Sequence, residues 1–167
     1  MKKELTYLFV LVVGMFCYSG ICFEEAESNT SAGAPFRATL IYVNDGDTIS
    51  VRSGGVTYLI RLWGIDTPES KQPDGKEATE YLKNLLKGGQ LKIVPVDNGK
   101  YGRLVAKVYC GKVYINLQMI KAGYAWWYKQ YAPDEKDFEE AQKNAEQDKL
   151  GLWNNPNPIN PGKWRKR

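Results

Sequence analysis

Between Ala38 and Tyr109 the chain repeats one theme, short β-prone runs cut apart by glycine-bearing turns. Ala38-Thr39-Leu40-Ile41-Tyr42-Val43 leads into the turn signal Asn44-Asp45-Gly46-Asp47, and Thr48-Ile49-Ser50-Val51 alternates as a strand does. Ser53-Gly54-Gly55 predicts a hairpin into the strand at residues 56–63. Residues 91–96 and 103–109 read as further strands on either side of a polar loop at residues 97–102. Five or so strands crowded around turn signals predict a small barrel with helices packed beside it, an α+β domain. A five-stranded Greek-key barrel of the OB type is a common solution, and one that often binds oligonucleotides.

Three helices accompany the strands. Ala78, Tyr81, Leu82, Leu85 and Leu86 recur at helical spacing over residues 74–86, a buried stripe that Gly88-Gly89 terminates. Asn116 is placed to cap a short helix over residues 117–122 that ends at Gly123. Asp134 opens the last helix, whose stripe of Phe138, Ala141 and Ala145 runs on to Gly151. The segment from Tyr124 to Tyr131 holds five aromatics in eight residues; core packing is the expected role of its tryptophans, and Tyr131, beside the Ala132-Pro133 break, is the one placed to line a site.

The ends differ in character from this middle. Residues 1–22 read as a signal peptide, with Lys2 and Lys3 ahead of an apolar run and small residues before Cys22. An uncleaved anchor is the alternative, and lipid attachment at Cys22 is disfavoured by Ile21. Residues 23–35 read as a disordered spacer, residues 36–153 as the folded domain, and residues 154–167 as a Pro/Asn-rich tail with a basic end. That end, Lys163 to Arg167, is either solvated or able to touch phosphates without specificity. Export to a secreted or periplasmic location follows from the signal segment, with membrane association only if that segment is retained or lipidated. Cys110 is expected to be a free, buried thiol.

Histidine is absent and only three cysteines are present, scattered along the chain. Acid–base work therefore falls to Asp, Glu, Lys, Tyr or metal-bound water. Any metal site must be built from oxygen, which points to Ca²⁺ or Mg²⁺ rather than Zn²⁺. A net charge of +4 permits a polyanionic partner without requiring one.

The chemically distinctive stretch is Arg61-Leu62-Trp63-Gly64-Ile65-Asp66-Thr67-Pro68-Glu69. It places one cation in an apolar strand, then two carboxylates three residues apart on backbone stiffened by Pro68. A surface turn with solvated charges is the plain alternative. Asp47 follows a turn glycine, and Arg103 opens a strand able to meet the same turn. Around a phosphodiester, two guanidinia can grip the phosphate and stabilise growing charge. Two aspartates can hold a hard divalent cation. A remaining glutamate can orient or deprotonate water. That set performs metal-assisted hydrolysis without histidine.

In ordered motifs the chain resembles the staphylococcal nuclease (thermonuclease) family from about Leu40 to Trp153. The motifs are Asp45-Gly46-Asp47-Thr48, Arg61-Leu62, Asp66-Thr67-Pro68-Glu69, Lys100-Tyr101-Gly102-Arg103, Asn116 and Lys149-Leu150-Gly151-Leu152-Trp153. The resemblance implies an OB-type five-stranded barrel with three helices. It implies Ca²⁺-dependent hydrolysis of DNA and RNA, single strands preferred, with little sequence preference and 3′-phosphate products. Asp47 and Asp66 match metal-binding carboxylates, Thr67 a residue whose carbonyl joins them, and Glu69 the general base. Arg61 and Arg103 match phosphate-binding arginines, Lys100 and Tyr101 residues that meet a terminal phosphate, and Tyr131 a tyrosine beside the base. The chain departs from the family at Lys129, where a second site tyrosine is expected, and in a shorter loop after Pro68. A monomer with no obligate protein partner is expected. Mg²⁺ or Mn²⁺ is the alternative ion, and a non-catalytic OB-fold module binding single-stranded nucleic acid is the alternative function.

Overall fold

The computed structural model describes residues 33–166. The expected signal segment, nearly all of the spacer, Cys17, Cys22 and Arg167 lie outside the described residues. No helix among the described residues is long and apolar enough to cross a membrane.

The β-prone runs become strands close to where their alternation places them: β1 (Phe36–Val43), β2 (Thr48–Ser53) and β3 (Val56–Leu62). β2 and β3 pair antiparallel without a break from Thr48 opposite Arg61 to Ser53 opposite Val56. Gly54 and Gly55 close that hairpin with φ of 54° and 82°, the two consecutive positive values a tight two-residue turn needs. After a two-residue strand, β4 (Ile65–Asp66), the first helix, α1 (Gly75–Leu85), buries Ala78 and Leu82 against the barrel. β5 (Leu91–Asn98) then pairs with both β1 and β6 (Leu104–Cys110). The ring closes through a parallel pairing in which Ile60 lies opposite Leu104 and Leu62 opposite Ala106. Five strands thus form a closed barrel in the order β1-β2-β3-β6-β5, and β7 (Val113–Tyr114) extends β6 at its end. Inward residues of every barrel strand, among them Ile49, Val51, Ile60, Leu62, Ile93 and Val108, form one core with Met119, Ile120 and Phe138 from the helices.

Two local expectations are corrected. Asn116 does not cap its helix. α2 runs from Ile115 to Lys121 with Tyr114 at the cap position, and Asn116 is fully buried in its first turn. Its amide reaches the barrel instead: Nδ2 donates to the carbonyls of Trp63 (2.8 Å) and Ala106 (3.3 Å), and Oδ1 accepts from the Val108 N–H (2.9 Å). It satisfies backbone groups where β3 and β6 close the ring, which a buried amide must do for its own groups as well. Cys110 is free but only partly buried.

The aromatic segment after α2 forms β8 (Trp126–Trp127), paired with β4 so that Asp66 faces Trp126 and Ile65 faces Trp127. The Tyr128 N–H donates to the Gly64 carbonyl at 2.8 Å, and the Trp127 indole N–H to the Ala132 carbonyl at 2.8 Å. The tryptophans therefore pack, as expected, and in doing so clamp the turn that carries Asp66. α3 (Lys136–Gln147) follows, with Phe138, Ala141 and Ala145 buried. The tail is more ordered than its composition suggests: Pro161–Trp164 forms one helical turn, α4, capped by the Asn160 side chain.

Candidate active site

Asp47 begins where β1 turns into β2, and the turn fixes it from several sides. Its carbonyl accepts from the Leu62 N–H at 2.8 Å, and its N–H donates to Asp45 Oδ1 at 3.0 Å. Gly46 is required here, because a Cβ would lie 2.7 Å from Thr67 Oγ1. That close approach lets Thr67 donate both its N–H and its hydroxyl to Asp47 Oδ2, each at 2.9 Å. Asp47 Oδ1 accepts from Thr48 Oγ1 at 3.1 Å and pairs with Arg61. Asp47 is only 2% exposed.

Arg61 joins the two aspartates. From β3 its Nη1 meets Asp47 Oδ1, while Nη2 donates to Asp66 Oδ1 at 2.8 Å and to the Ile65 carbonyl at 3.2 Å. Burial pushes this guanidinium down from its ordinary range, and Asp66 and then Asp45 push it back up. Arginine stays charged under such opposition. Asp66, 3% exposed, is thereby drawn to the same cation as Asp47.

The remaining expected residues sit around this centre. Glu69, partly exposed, is held at its backbone by Gln72 and at Oε1 by Arg165 Nη1 (2.6 Å). Arg103 forms no ion pair among the described residues. It lies over the Tyr101 ring at 5.9 Å, yet its charge bears on both Asp45 and Arg61. Lys100 and Tyr101 are on an exposed turn; Tyr101 is 90% exposed with φ of 61°, and Arg103 Nε donates to the Lys100 carbonyl at 3.4 Å. Tyr131 is 58% exposed and stands edge-on to Tyr128 at 4.7 Å. Asp47, Arg61, Asp66 and Thr67 are thus in direct contact, Glu69 is tied to Asp66 through Arg165, and the Lys100–Arg103 turn and Tyr131 form a looser exposed margin.

Three further residues belong to the site. Burial pushes the Asp45 carboxyl up, against the opposing pull of Arg61, Thr48 and Arg103. Its signal in the sequence was the Asp-Gly-Asp turn itself. Gln72 is buried and braces the Glu69 N–H through Oε1 at 3.2 Å. Arg165 donates from Nη2 to Asp66 Oδ2 at 2.8 Å and from Nη1 to Asp66 Oδ1 at 3.3 Å. Its guanidinium is held well above its ordinary range, first by the bond to Asp66. In the tail expected to be solvated or phosphate-seeking, Arg165 is thus bound to carboxylates.

Among the described residues no three Asp, Glu or Cys side chains come together as a ready-made metal cage. The donor set still fits a hard divalent cation. Two buried carboxylates converge on one guanidinium, and all available donors are oxygens. Asp47 is the more saturated of the two, with Thr48, Thr67 and Arg61 on it, while among the described residues Asp66 Oδ2 is bonded to Arg165 alone.

Comparison with known proteins agrees with this geometry. The family described as staphylococcal nuclease homologue matches residues 59–155, which run from within β3 through the Asp66–Glu69 turn, the Arg103 loop and Asn116. The chain is 36% identical over 129 residues to an uncharacterized endonuclease of Haemophilus influenzae, covering 77% of this chain and 72% of that protein. It is 35% identical over 145 residues to a micrococcal nuclease of Shigella flexneri, covering 81% and 83% respectively. Over 109 residues it is 39% identical to a staphylococcal-like nuclease of Arabidopsis thaliana, of which it spans only 33%. The chain belongs to the staphylococcal nuclease family, and as an enzyme it is a nuclease.

Proposed function

We propose that this chain is an exported endonuclease that uses a divalent cation, Ca²⁺ by preference, to hydrolyse DNA and RNA with little sequence preference, leaving 3′-phosphates. Single strands are the preferred substrate and the working form is a monomer. The observation that carries this reading is the Asp47–Arg61–Asp66 cluster, two buried carboxylates bridged by one half-buried arginine beside Glu69.

Asp47 and Asp66 would hold the cation, which when bound supplies positive charge to a phosphoryl oxygen and to the attacking water. The chain's own residues account for the rest. Thr67 fixes the Asp47 carboxylate through two hydrogen bonds and so sets its direction before substrate arrives. Glu69, on backbone held by Gln72, orients water for in-line attack on phosphorus and accepts its proton. The P–O5′ bond breaks as the new P–O bond forms, and the 5′ oxygen leaves as a hydroxyl with a proton from solvent. Arg61 and Arg103 donate to the non-bridging oxygens, where negative charge increases in the transition state. Lys100 and Tyr101 meet a terminal phosphate, and bases face Tyr131, where stacking tolerates any base because each has a π face.

The test uses single-stranded DNA and RNA with the full chain, with and without Ca²⁺, Mg²⁺ and Mn²⁺, beside Glu69→Gln and Arg103→Ala. The expected result is Ca²⁺-dependent cleavage to 3′-phosphate ends, with Glu69→Gln losing turnover while nucleotide binding persists. Binding without cleavage under all three ions would overturn the reading in favour of a binding module.

A further inference from the structure

The C-terminal residues make contacts that hydrolysis does not require. Beyond the 3₁₀ turn Gly151–Asn154, the chain runs back along the turn that follows Glu69. Pro158 and Ile159 share a small cleft with Gln72, Pro73, Trp126 and Leu152. Gln72 Nε2 donates to the Ile159 carbonyl, while the same side chain braces Glu69 through Oε1. Pro161 is buried, and Asn160 Oδ1 accepts from the Gly162 N–H at 2.9 Å to start α4. This anchor delivers Arg165 onto Asp66 and Glu69, which lie 99 and 96 residues earlier in the chain.

The exposures are unequal. The Arg165 side chain is 42% exposed and that of Asp66 only 5%, so the guanidinium lies over the buried carboxylate on its solvent side. Asp66 Oδ1 already accepts from Arg61, so Arg165 engages the oxygen that Arg61 leaves open and shares the other. An ion approaching Asp66 from solvent would need the same oxygens, and a divalent charge beside a guanidinium on one carboxylate edge is repelled.

We infer that the C-terminal tail is an autoinhibitory latch: Arg165 occupies the solvent-facing side of Asp66 and Glu69, and a divalent cation must displace it to enter. The inference rests on the metal-dependent reading of the site. Residues 158–161 stay anchored while residues 163–166 swing away. The partly exposed ion pair must break before the cation enters, so its removal tightens cation binding by up to several-fold. High salt narrows the difference, because the latch is partly exposed.

The test is calorimetric titration of the full chain with Ca²⁺ in the absence of nucleic acid, for wild type, Arg165→Lys and Arg165→Ala. Trypsin cleavage after Lys163 is followed in parallel at zero and saturating Ca²⁺. Arg165→Ala is expected to bind Ca²⁺ up to about five-fold more tightly than wild type, with Arg165→Lys between them. In wild type, Ca²⁺ accelerates cleavage at Lys163, and in Arg165→Ala cleavage is fast throughout. The trypsin arm reads displacement itself, which loss of a positive charge alone does not produce. Equal Ca²⁺ affinities with Ca²⁺-insensitive tail cleavage, in an enzyme that still needs Ca²⁺ to cut DNA, would overturn the latch alone. Failure of every variant to bind Ca²⁺ or cut DNA would overturn the metal reading and the latch together.

Discussion

The two arginines expected to grip phosphate live in different surroundings. Arg61 is half-buried, bonded to Asp47, Asp66 and a main-chain carbonyl, and supported by strands on both sides. Arg103 stands at the end of an exposed turn with a long bond to the Lys100 carbonyl and a ring contact with Tyr101. One is part of the architecture and the other is held ready for a ligand. A site assembled this way has a buried half bonded into the barrel and an exposed half with few bonds of its own. The division suits the proposed cleavage with little sequence preference, which needs one phosphorus atom held firmly and the bases around it held loosely.

The contrast is open to test. The largest effect belongs to Arg61→Ala, which leaves Asp47 buried without its cation. It is expected to cost about 3–5 kcal/mol of stability, measured by denaturant unfolding, together with nearly all activity. Arg103→Ala should lower turnover on the order of 10²-fold. Its unfolding free energy should stay within about 0.5 kcal/mol of wild type. Comparable stability losses in the two variants would break the contrast. Smaller again is Tyr131→Ala, with loss of a stacking contact worth about 1–3 kcal/mol, read as a raised KM on single-stranded substrates with kcat little changed.

The smallest effect sharpens the picture of the buried half. The Asp45 carboxyl is raised in the folded state, so the fold favours its neutral form. Its contribution to stability is complete below the ordinary value of 3.8 and is lost as pH rises through the folded-state value. Asp45→Asn keeps an oxygen for the Asp47 N–H and removes the charge. It should therefore raise the melting temperature at pH 7 in metal-free buffer, and the gain should vanish towards pH 3. A gain that is independent of pH would show that ionisation of Asp45 is not its source.

Much of the barrel was legible because alternation and turn glycines act locally. Thr48–Ser53 and Val56–Leu62 declare their strands, and Gly54-Gly55 their hairpin, within a few residues. The central charges were legible because Arg61, Asp66 and Glu69 interrupt an apolar, proline-stiffened stretch in a way that core packing does not explain. Two of the misreadings, Asn116 and the basic tail, turn on contacts far apart in the chain. A polar residue ahead of an apolar helical run looks like a cap, and only the closed barrel shows that Asn116 spends its amide on Trp63, Ala106 and Val108. A basic tail announces its charge but not its partner, and Arg165 finds carboxylates only after the whole domain has brought its end alongside Gln72.

The parallel pairing of β3 with β6 also governs time. It joins Ile60 to Leu104 and Leu62 to Ala106 across the intervening β4, α1 and β5, so it cannot form until those elements have been gathered in. Contacts between distant parts of a chain are the slow ones. The seam they make is the one Asn116 fastens, and Arg61 and Arg103 stand on its two sides. In a refolding experiment, helical and hairpin signals should therefore return before turnover does. Hydrolysis of a nucleic acid would then serve as a clock for the last step of assembly.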